Sequence, residues 1–341
     1  MNSEESSIGH ITIRDVAARA GVALSSVSRV MSDHPDVSLA MRSRVEEAVQ
    51  ALGYEPDLLA QSLRSGSTRT IGFIIRDISN PFYALVARSC EQELRRNGYS
   101  MILMNSDGSV ETELQNFLLM RRRRVDGVIA SIVVEDSPYL KKIVTSLRAP
   151  LVLLDREIKG TQTSAVITDH FSGVYDAVAY LIEAGHSKIA FVTGAENVYT
   201  TRDRMRGYRQ AFADADKDVP EDLLALGGFD AEYALVHTRR LMAKKPRPTA
   251  LITGGIGSTS GALRALNELG IRIGQDLAFV ALDEWPLFDL FTPQISSVYR
   301  DAKAIGGEAA HLLLEVLKGK TPRESVIETK FTQRFSSQGG L

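Results

Sequence analysis

Two architectures follow one another in this sequence: an all-α segment of about 66 residues, then an α/β segment built as two lobes, each around a parallel sheet. Three observations predict this. Residues 11 to 32 read as two short helices broken by a glycine, the second of them polar on its outer face. From Thr70 onward strand-like apolar runs alternate with helical ones, the pattern of repeated βαβ units. The alternation passes through two series in succession, which implies two lobes.

In the first segment, Thr12 can cap a helix, with Asp15 as the acidic half of a capping box and Val16, Ala17 and Ala20 at helical spacing. Gly21 supplies a tight turn. In the next helix Val22, Val27 and Val30 would face the first, while Leu24, Ser25, Ser26, Ser28 and Arg29 point outward. That is the outline of a helix-turn-helix, and small hydroxyls with one arginine can be offered to base edges and phosphates in a major groove. A packing module would show the same apolar spacing and turn glycine. Ser38 caps a third helix with Val45, Ala48, Val49 and Leu52 on one face, and Gly53 closes it. The segment from Pro56 to Gly66 starts on proline and ends on glycine; at about two turns it is too short to be a stable helix alone in water.

In the second segment the strand-like runs are TIGFIIRD, SMILMNSD, VDGVIAS and PLVLLD, followed by SAVITD, KIAFVTG, LLALGG, TALIT and LAFVALD. In sheets of this kind ligands sit beyond the carboxyl ends of the strands, so the cleft between the lobes is the expected site.

A 341-residue chain with 44% hydrophobic and 24% charged residues is that of a globular protein with room for several cores. No window reads as a membrane span or a signal peptide, so a cytoplasmic protein with no membrane partner is expected. The single cysteine, Cys90, reads as a small buried hydrophobe, and the six histidines show no metal spacing. Residues 11 to 66 hold six arginines against seven carboxylates, and no lysine precedes Lys141. Binding to nucleic acid therefore cannot rest on a general basic surface. It must come from placed arginines (Arg14, Arg29, Arg42, Arg64), serine hydroxyls and helix N-termini, doubled by a second copy of the chain.

Two local runs imitate other functions. Arg121 to Arg124 is a cationic run at a helix end, where positive charge suits the helix dipole as well as it suits nucleic acid. Gly255 to Gly261 sits between a strand and a helix with Asp283 ending the next strand, which suggests an NAD(P)-dependent enzyme; its spacing is GxGxxxG rather than the dinucleotide GxGxxG. No G-x-S-x-G elbow, H-E-x-x-H or phosphate-loop lysine motif occurs, so no catalytic residue, metal or cofactor is assigned. A small-molecule-binding protein without a DNA role is the other alternative.

The run from Thr12 to Thr70, with DVAARAGV, SVSRV, Val37-Ser38, LGYEP and the Ala60/Leu63 spacing, resembles the DNA-binding headpiece of the lactose/galactose repressor (LacI/GalR) family. The resemblance continues through Asn80-Pro81-Phe82, Arg124 to Ile129, Asp155-Arg156, Gly185-His186, Arg204 to Tyr208 and Pro248-Thr249-Ala250. It implies a headpiece at 11–55, a hinge helix at 56–66, and a ligand-binding and dimerisation domain at 67–341 resembling periplasmic sugar-binding proteins. The chain would cross between lobes three times, with a first lobe of about 68–164 and 295–325 and a second of about 165–294 and 326–341.

The resemblance further implies a ligand-responsive repressor that binds a pseudo-palindromic double-stranded DNA operator as a homodimer. DNA contacts would fall to Thr12, Arg14, Leu24, Ser25, Ser26, Ser28, Arg29, Ala60, Leu63 and Arg64, with Leu63 a minor-groove wedge. Tetrameric relatives append a leucine heptad, and this chain stops at Phe335 to Leu341 with none, so a dimer is expected. Effector contacts would fall to Phe82 as an apolar wall, Asp155, Arg204, Phe229 as a stacking face, Gly255 and Asp283, with Arg204 and Asp283 facing each other across the closed cleft and Phe229 beneath the ligand. Carboxylates beside an aromatic face suit a sugar-like ligand, whereas Arg204 could clamp a carboxylate or phosphate. The chain departs from the family where most relatives have Asn-Asp and it has Gly255-Ile256, and where a serine cap is replaced by Ala23. The first departure tells against a plain neutral sugar and leaves a sugar acid, a polyol or a nucleoside open.

Overall fold

The computed structural model describes residues 11–31, 34–55, 62 and 66–340, which fall into two units, one up to Thr68 and the other from Arg69 onward. Ala60, Leu63 and Arg64, and most of the 56–66 hinge, lie outside the described residues.

The first unit contains α1 (Ile13–Ala20), α2 (Leu24–Met31) and α3 (Leu39–Leu52). The Asp15 carboxylate accepts from the Thr12 amide and hydroxyl, each at 2.7 Å, which fixes the start of α1. Gly21 ends α1 in the left-handed region at φ 63°, a conformation open to glycine at little cost, so the chain can reverse into α2 after three residues. Ser38 caps α3 by accepting from the Met41 amide. The apolar faces meet in one core of Val16, Ala17, Ala20, Val27, Val30, Val45 and Ala48, sealed by half-buried Val22, Val49, Leu52 and Tyr54.

The second unit holds two six-stranded sheets. The first comprises β1 (Thr70–Ile75), β2 (Ser100–Asn105), β3 (Gly127–Ala130), β4 (Leu151–Leu154), β5 (Ser164–Thr168) and β11 (Glu324–Ile327), in the order β11-β5-β4-β3-β1-β2. The second comprises β6 (Ile189–Gly194), β7 (Leu224–Gly227), β8 (Ala250–Thr253), β9 (Ala278–Leu282), β10 (Ser296–Arg300) and β12 (Thr329–Thr332), in the order β12-β10-β9-β8-β6-β7. All pairings are parallel except β10 with β12. Around them lie α4 (Pro81–Arg96), α5 (Val110–Arg123), α6 (Pro138–Ser146), α7 (His170–Glu183), α8 (Tyr199–Asp214), α9 (Ala231–Met242), α10 (Ile256–Glu268) and α11 (Ala302–Leu317). Central strands are apolar on both faces because helices cover both, as parallel sheets require.

The chain crosses between lobes three times: after β5, between β10 and α11, and between β11 and β12. The expected boundaries shift accordingly. β5 pairs with β4, so the first lobe runs to Thr168 rather than 164; β10 pairs with β9, so residues 296 to 300 belong to the second lobe; β11 pairs with β5 and carries the first lobe to Ile327 rather than 325. The reason is physical: strand-like composition marks a strand, but only its hydrogen-bonded neighbour decides its sheet. The sequence reading named no strand at Ser296–Arg300, and the second boundary was misplaced with it.

Cys90 is buried in the first-lobe core, where burial pushes its thiol up to about 12. Arg121 to Arg123 occupy the last turn of α5, Arg124 closes it in the left-handed region, and Arg121 donates to the Ser146 hydroxyl, in keeping with the helix-dipole reading of that run.

Candidate functional site

Two regions carry the residues singled out in the sequence. On the helix-turn-helix, Val27 and Val30 are buried while Leu24 is 45% exposed and Ser25 and Arg29 are exposed. Ser26 and Ser28 are half-buried, and Thr12 and Arg14 are exposed on and before α1. The outer face of α2 is therefore polar except for Leu24. Ala23 offers no side-chain cap; its carbonyl accepts from the Ser26 and Val27 amides at 2.9 and 3.3 Å and starts the helix.

The second region is a cavity of about 710 Å³ between the lobes, at the carboxyl ends of their strands. From the first lobe come Arg76 after β1, Phe82 and Tyr83 at the start of α4, and Asp155-Arg156 after β4; from the second come Arg204 on α8, Phe229 after β7, Gly255 before α10, Asp283 after β9 and Arg300 at the end of β10. All six predicted effector residues line it, but three of them differently from expectation.

Arg204 and Asp283 do not oppose each other across the cleft, since both belong to the second lobe. Asp283 is bound instead by Arg300, whose Nε donates to its Oδ1 at 2.5 Å while Nη1 donates to Asp155 Oδ2 at 2.6 Å. Phe82 is not a bare apolar wall either. The Arg300 guanidinium lies over its ring, 3.7 Å from the centroid.

Asp155 and Asp283 close corresponding strands of the two lobes, and both adopt left-handed backbone, at φ 50° and 75°. Aspartate tolerates that conformation better than most side chains, and the turn aims each carboxylate at the cleft. Asp155 Oδ1 also accepts from the Thr168 amide at 2.7 Å, and His170 Nε2 stands 3.4 Å from Oδ2. Burial opposes ionisation of Asp155, but His170, Arg300 and Thr168 outweigh it and hold the carboxyl far below the usual carboxylate range. Burial pushes the His170 imidazole down to about 4 against the pull of Asp155, so it is neutral at pH 7.

Arg204 is fully enclosed: Nη1 donates to the Gly254 carbonyl at 2.7 Å and approaches Thr193 Oγ1 at 3.4 Å, while Nε has no partner among the described residues. Arg156 donates from Nε to the Ile132 carbonyl and from Nη1 to the Asp155 carbonyl and Thr200 hydroxyl, at 2.7 to 2.9 Å. Phe229 sits on Gly194, where any Cβ would lie 2.1 Å from the ring, and its ring is flanked by Arg76 and Arg204, whose guanidinium carbons are 5.4 and 5.7 Å from its centroid. Glu113 is buried within the reach of the Arg76 and Arg156 charges; burial pushes it up to about 7 against the Val133 amide and both arginines.

The Gly255 loop is explained by packing. A Cβ at Gly257 would lie 2.6 Å from the Phe229 carbonyl oxygen, and one at Gly261 would lie 1.9 Å from that of Ala231, so these glycines let α10 press against α9. Ile256 is buried with first-lobe residues including Phe82 and Val86, and Trp285 packs there too; the lobes thus meet through apolar contact at this edge. At another edge Glu135 accepts from Arg202 Nη2 at 2.9 Å, and Arg156 reaches Thr200.

Arg76 and Arg300 are cleft residues that the sequence does not single out, and Arg156 stands out there only as part of the Asp155-Arg156 motif. Each ends or follows a strand, and that position was the available signal.

Among the described residues no group of His, Cys, Asp and Glu could hold a metal ion, and no helix is long and apolar enough to cross a membrane. The family profile of "Bacterial regulatory proteins, lacI family" matches residues 12–57, and that of "Periplasmic binding protein-like domain" matches residues 178–337. The chain is 31% identical over 317 residues to an HTH-type transcriptional repressor PurR of Vibrio atlanticus (strain LGP32), covering 93% of this chain and 95% of the relative. It is 31% identical over 323 residues to a catabolite control protein A of Priestia megaterium, covering 94% and 96%. Among solved structures, a transcriptional regulator CelR–cellobiose complex matches with a TM-score of 0.73 and 28% identity, over 96% of this chain and 99% of that one.

Proposed function

The chain belongs to the lacI family of bacterial regulatory proteins, and from that premise we propose that it binds a pseudo-palindromic operator as a homodimer and releases or grips it in response to a small polar metabolite. Its relatives are transcriptional repressors rather than enzymes, and it is a repressor of that family with an effector-binding domain. The observation that carries the finer reading is the joint presence of an exposed polar α2 face and a 710 Å³ cavity lined by both lobes of the second unit.

The dimer follows from charge. With six arginines against seven carboxylates over residues 11 to 66, one headpiece lacks the counter-charge for useful affinity, whereas two on adjacent half-sites double every placed contact. The effector is a hydroxylated metabolite such as a sugar, sugar acid or polyol, held over Phe229 with Asp283 and Arg204 beside it. Cellobiose in the complex of the similar regulator supports a sugar-like ligand. The site of action is the cytoplasm, where the DNA is. A change in lobe closure on binding sets DNA affinity.

The test is retention of genomic fragments by the purified protein in a gel-shift assay. A pseudo-palindromic fragment should be retained specifically and respond to one metabolite of a panel; uniform retention of all fragments would overturn the reading.

A further inference from the structure

The acidic groups that would accept hydroxyl protons from a neutral sugar are already engaged. Arg300 occupies Asp155 Oδ2 and Asp283 Oδ1, and the Thr168 amide occupies Asp155 Oδ1. Asp283 Oδ2 is left facing Gly255, so one carboxylate oxygen remains for a ligand hydroxyl.

The other three guanidiniums of the cavity have no such partners. Arg204 is 2% exposed and Arg156 3%, and both bond only to carbonyl and hydroxyl oxygens; Arg76 is half-buried beside Phe229. None of them makes an ion pair among the described residues. Asp283 and Asp155 act on Arg204 without pairing with it, but Arg300 already holds both, so the cavity arginines are balanced only in part; a buried charge with too little counter-charge is costly, and a ligand that supplies the rest recovers that cost on binding. Asp77, Asp107 and Asp230 also line the cavity, but Asp107 and Asp230 are exposed, Asp77 accepts from the Ser79 amide and hydroxyl, and Asp230 caps α9. Glu113 acts on Arg156 and Arg76 but does not line the cavity; it accepts from the Val133 amide, and burial pushes it up to about 7.

The N-terminus of α10 reinforces this. Gly255 starts the helix with no side-chain cap, and Gly255, Ile256 and Gly257 line the cavity, so the first-turn amides of a 13-residue helix face the same space as the arginines. The buried Arg204 Nε, without a partner among the described residues, is an independent sign that a polar group is missing beside this arginine.

We infer that the effector is an anion: a small hydroxylated metabolite whose carboxylate or phosphate is held by Arg204 and Arg76 near the α10 N-terminus, with its ring or chain on Phe229 and a hydroxyl on Asp283 Oδ2. This rests on the regulatory reading above and narrows its ligand class.

The test is calorimetry of the full chain with D-gluconate, D-galacturonate and D-glucose 6-phosphate, each against its neutral parent D-glucose or D-galactose. At least one anion should bind ten or more times more tightly than its parent, and its identity separates carboxylate from phosphate. Arg76→Gln, at the half-buried edge, should remove that preference while the melting temperature holds; Arg204→Lys, which keeps the charge but not the fork, should weaken it. Neutral parents binding as tightly as the anions, binding by no anion at millimolar concentration, or an unchanged preference in Arg76→Gln would each overturn the inference. Its failure is distinct from failure of the regulatory reading, which the gel shift decides without reference to ligand charge.

Discussion

Arg300 joins the two lobes through two carboxylates at once, donating to Asp155 of the first lobe at 2.6 Å and to Asp283 of the second at 2.5 Å, with its guanidinium on Phe82. The triad is buried, and one cation against two anions is balanced only in part; the Thr168 amide donates to Asp155, and both carboxylates also act on the nearby Arg204 without pairing with it.

Removing the arginine strands both carboxylates. Arg300→Gln should therefore destabilise the effector domain by about 3 to 5 kcal/mol, the usual cost of breaking a buried pair from one side. Urea denaturation followed by tryptophan fluorescence measures it, since Trp285 is the only tryptophan and lines the cavity. A change below about 1 kcal/mol would show that water or rearranged neighbours replace the arginine.

The acid limb of stability should contain two opposed slopes. The folded His170 has its pKa lowered from 6.5 to about 4, so the unfolded chain binds more protons between those values and stability falls as pH drops through them. Glu113 is raised from 4.5 to about 7, so the folded chain binds more protons there and stability falls as pH rises. The two offset one another between about 4.5 and 6.5. Glu113→Gln should expose the His170 slope, giving a protein that loses stability steadily from pH 6.5 to 4.5, whereas His170→Gln should do the reverse. Melting temperatures across that range read both; identical profiles for the two variants would contradict the assignment.

Base readout should depend on α2. Arg29→Ala should cost about 1 to 3 kcal/mol in specific operator binding if Arg29 meets a guanine, with little effect on non-specific binding. Unchanged operator affinity would remove Arg29 from the interface.

The Phe229 platform depends on a glycine. Gly194→Ala places a Cβ 2.1 Å from the present ring position and must push the ring into the cavity, so effector affinity should fall at least tenfold while operator binding without effector stays as before. Retained effector affinity would show that Phe229 is not the stacking face.

Much of this was legible in sequence because it is local. Thr12 with Asp15, Gly21, Ser38 and Gly53 announce the helix ends at fixed spacing, and the carboxylates closing PLVLLD and LAFVALD line the cavity because they stand where parallel strands end. What escaped is non-local. Arg300 and Asp155 lie 145 residues apart and meet only after β10 joins β9, a pairing that composition does not specify. Without it Arg204 and Asp283 looked like opposing partners, and a strand of the second lobe was counted with the first. The Gly255 loop imitates a phosphate site because close helix packing and phosphate binding both call for glycine.

Assembly should be dimeric through the effector domain. Light scattering at micromolar concentration should give twice the chain mass, and a monomer that still binds the full operator with unreduced affinity would contradict the charge argument.

The most direct test of ligand-gated repression is a fluorescence anisotropy titration of the labelled operator, with and without a saturating concentration of the metabolite that calorimetry identifies. Coupling between the cavity and DNA predicts operator Kd values that differ by about 5- to 150-fold, the span of typical allosteric coupling energies. Superimposable isotherms, with the cavity shown to be occupied, would contradict it.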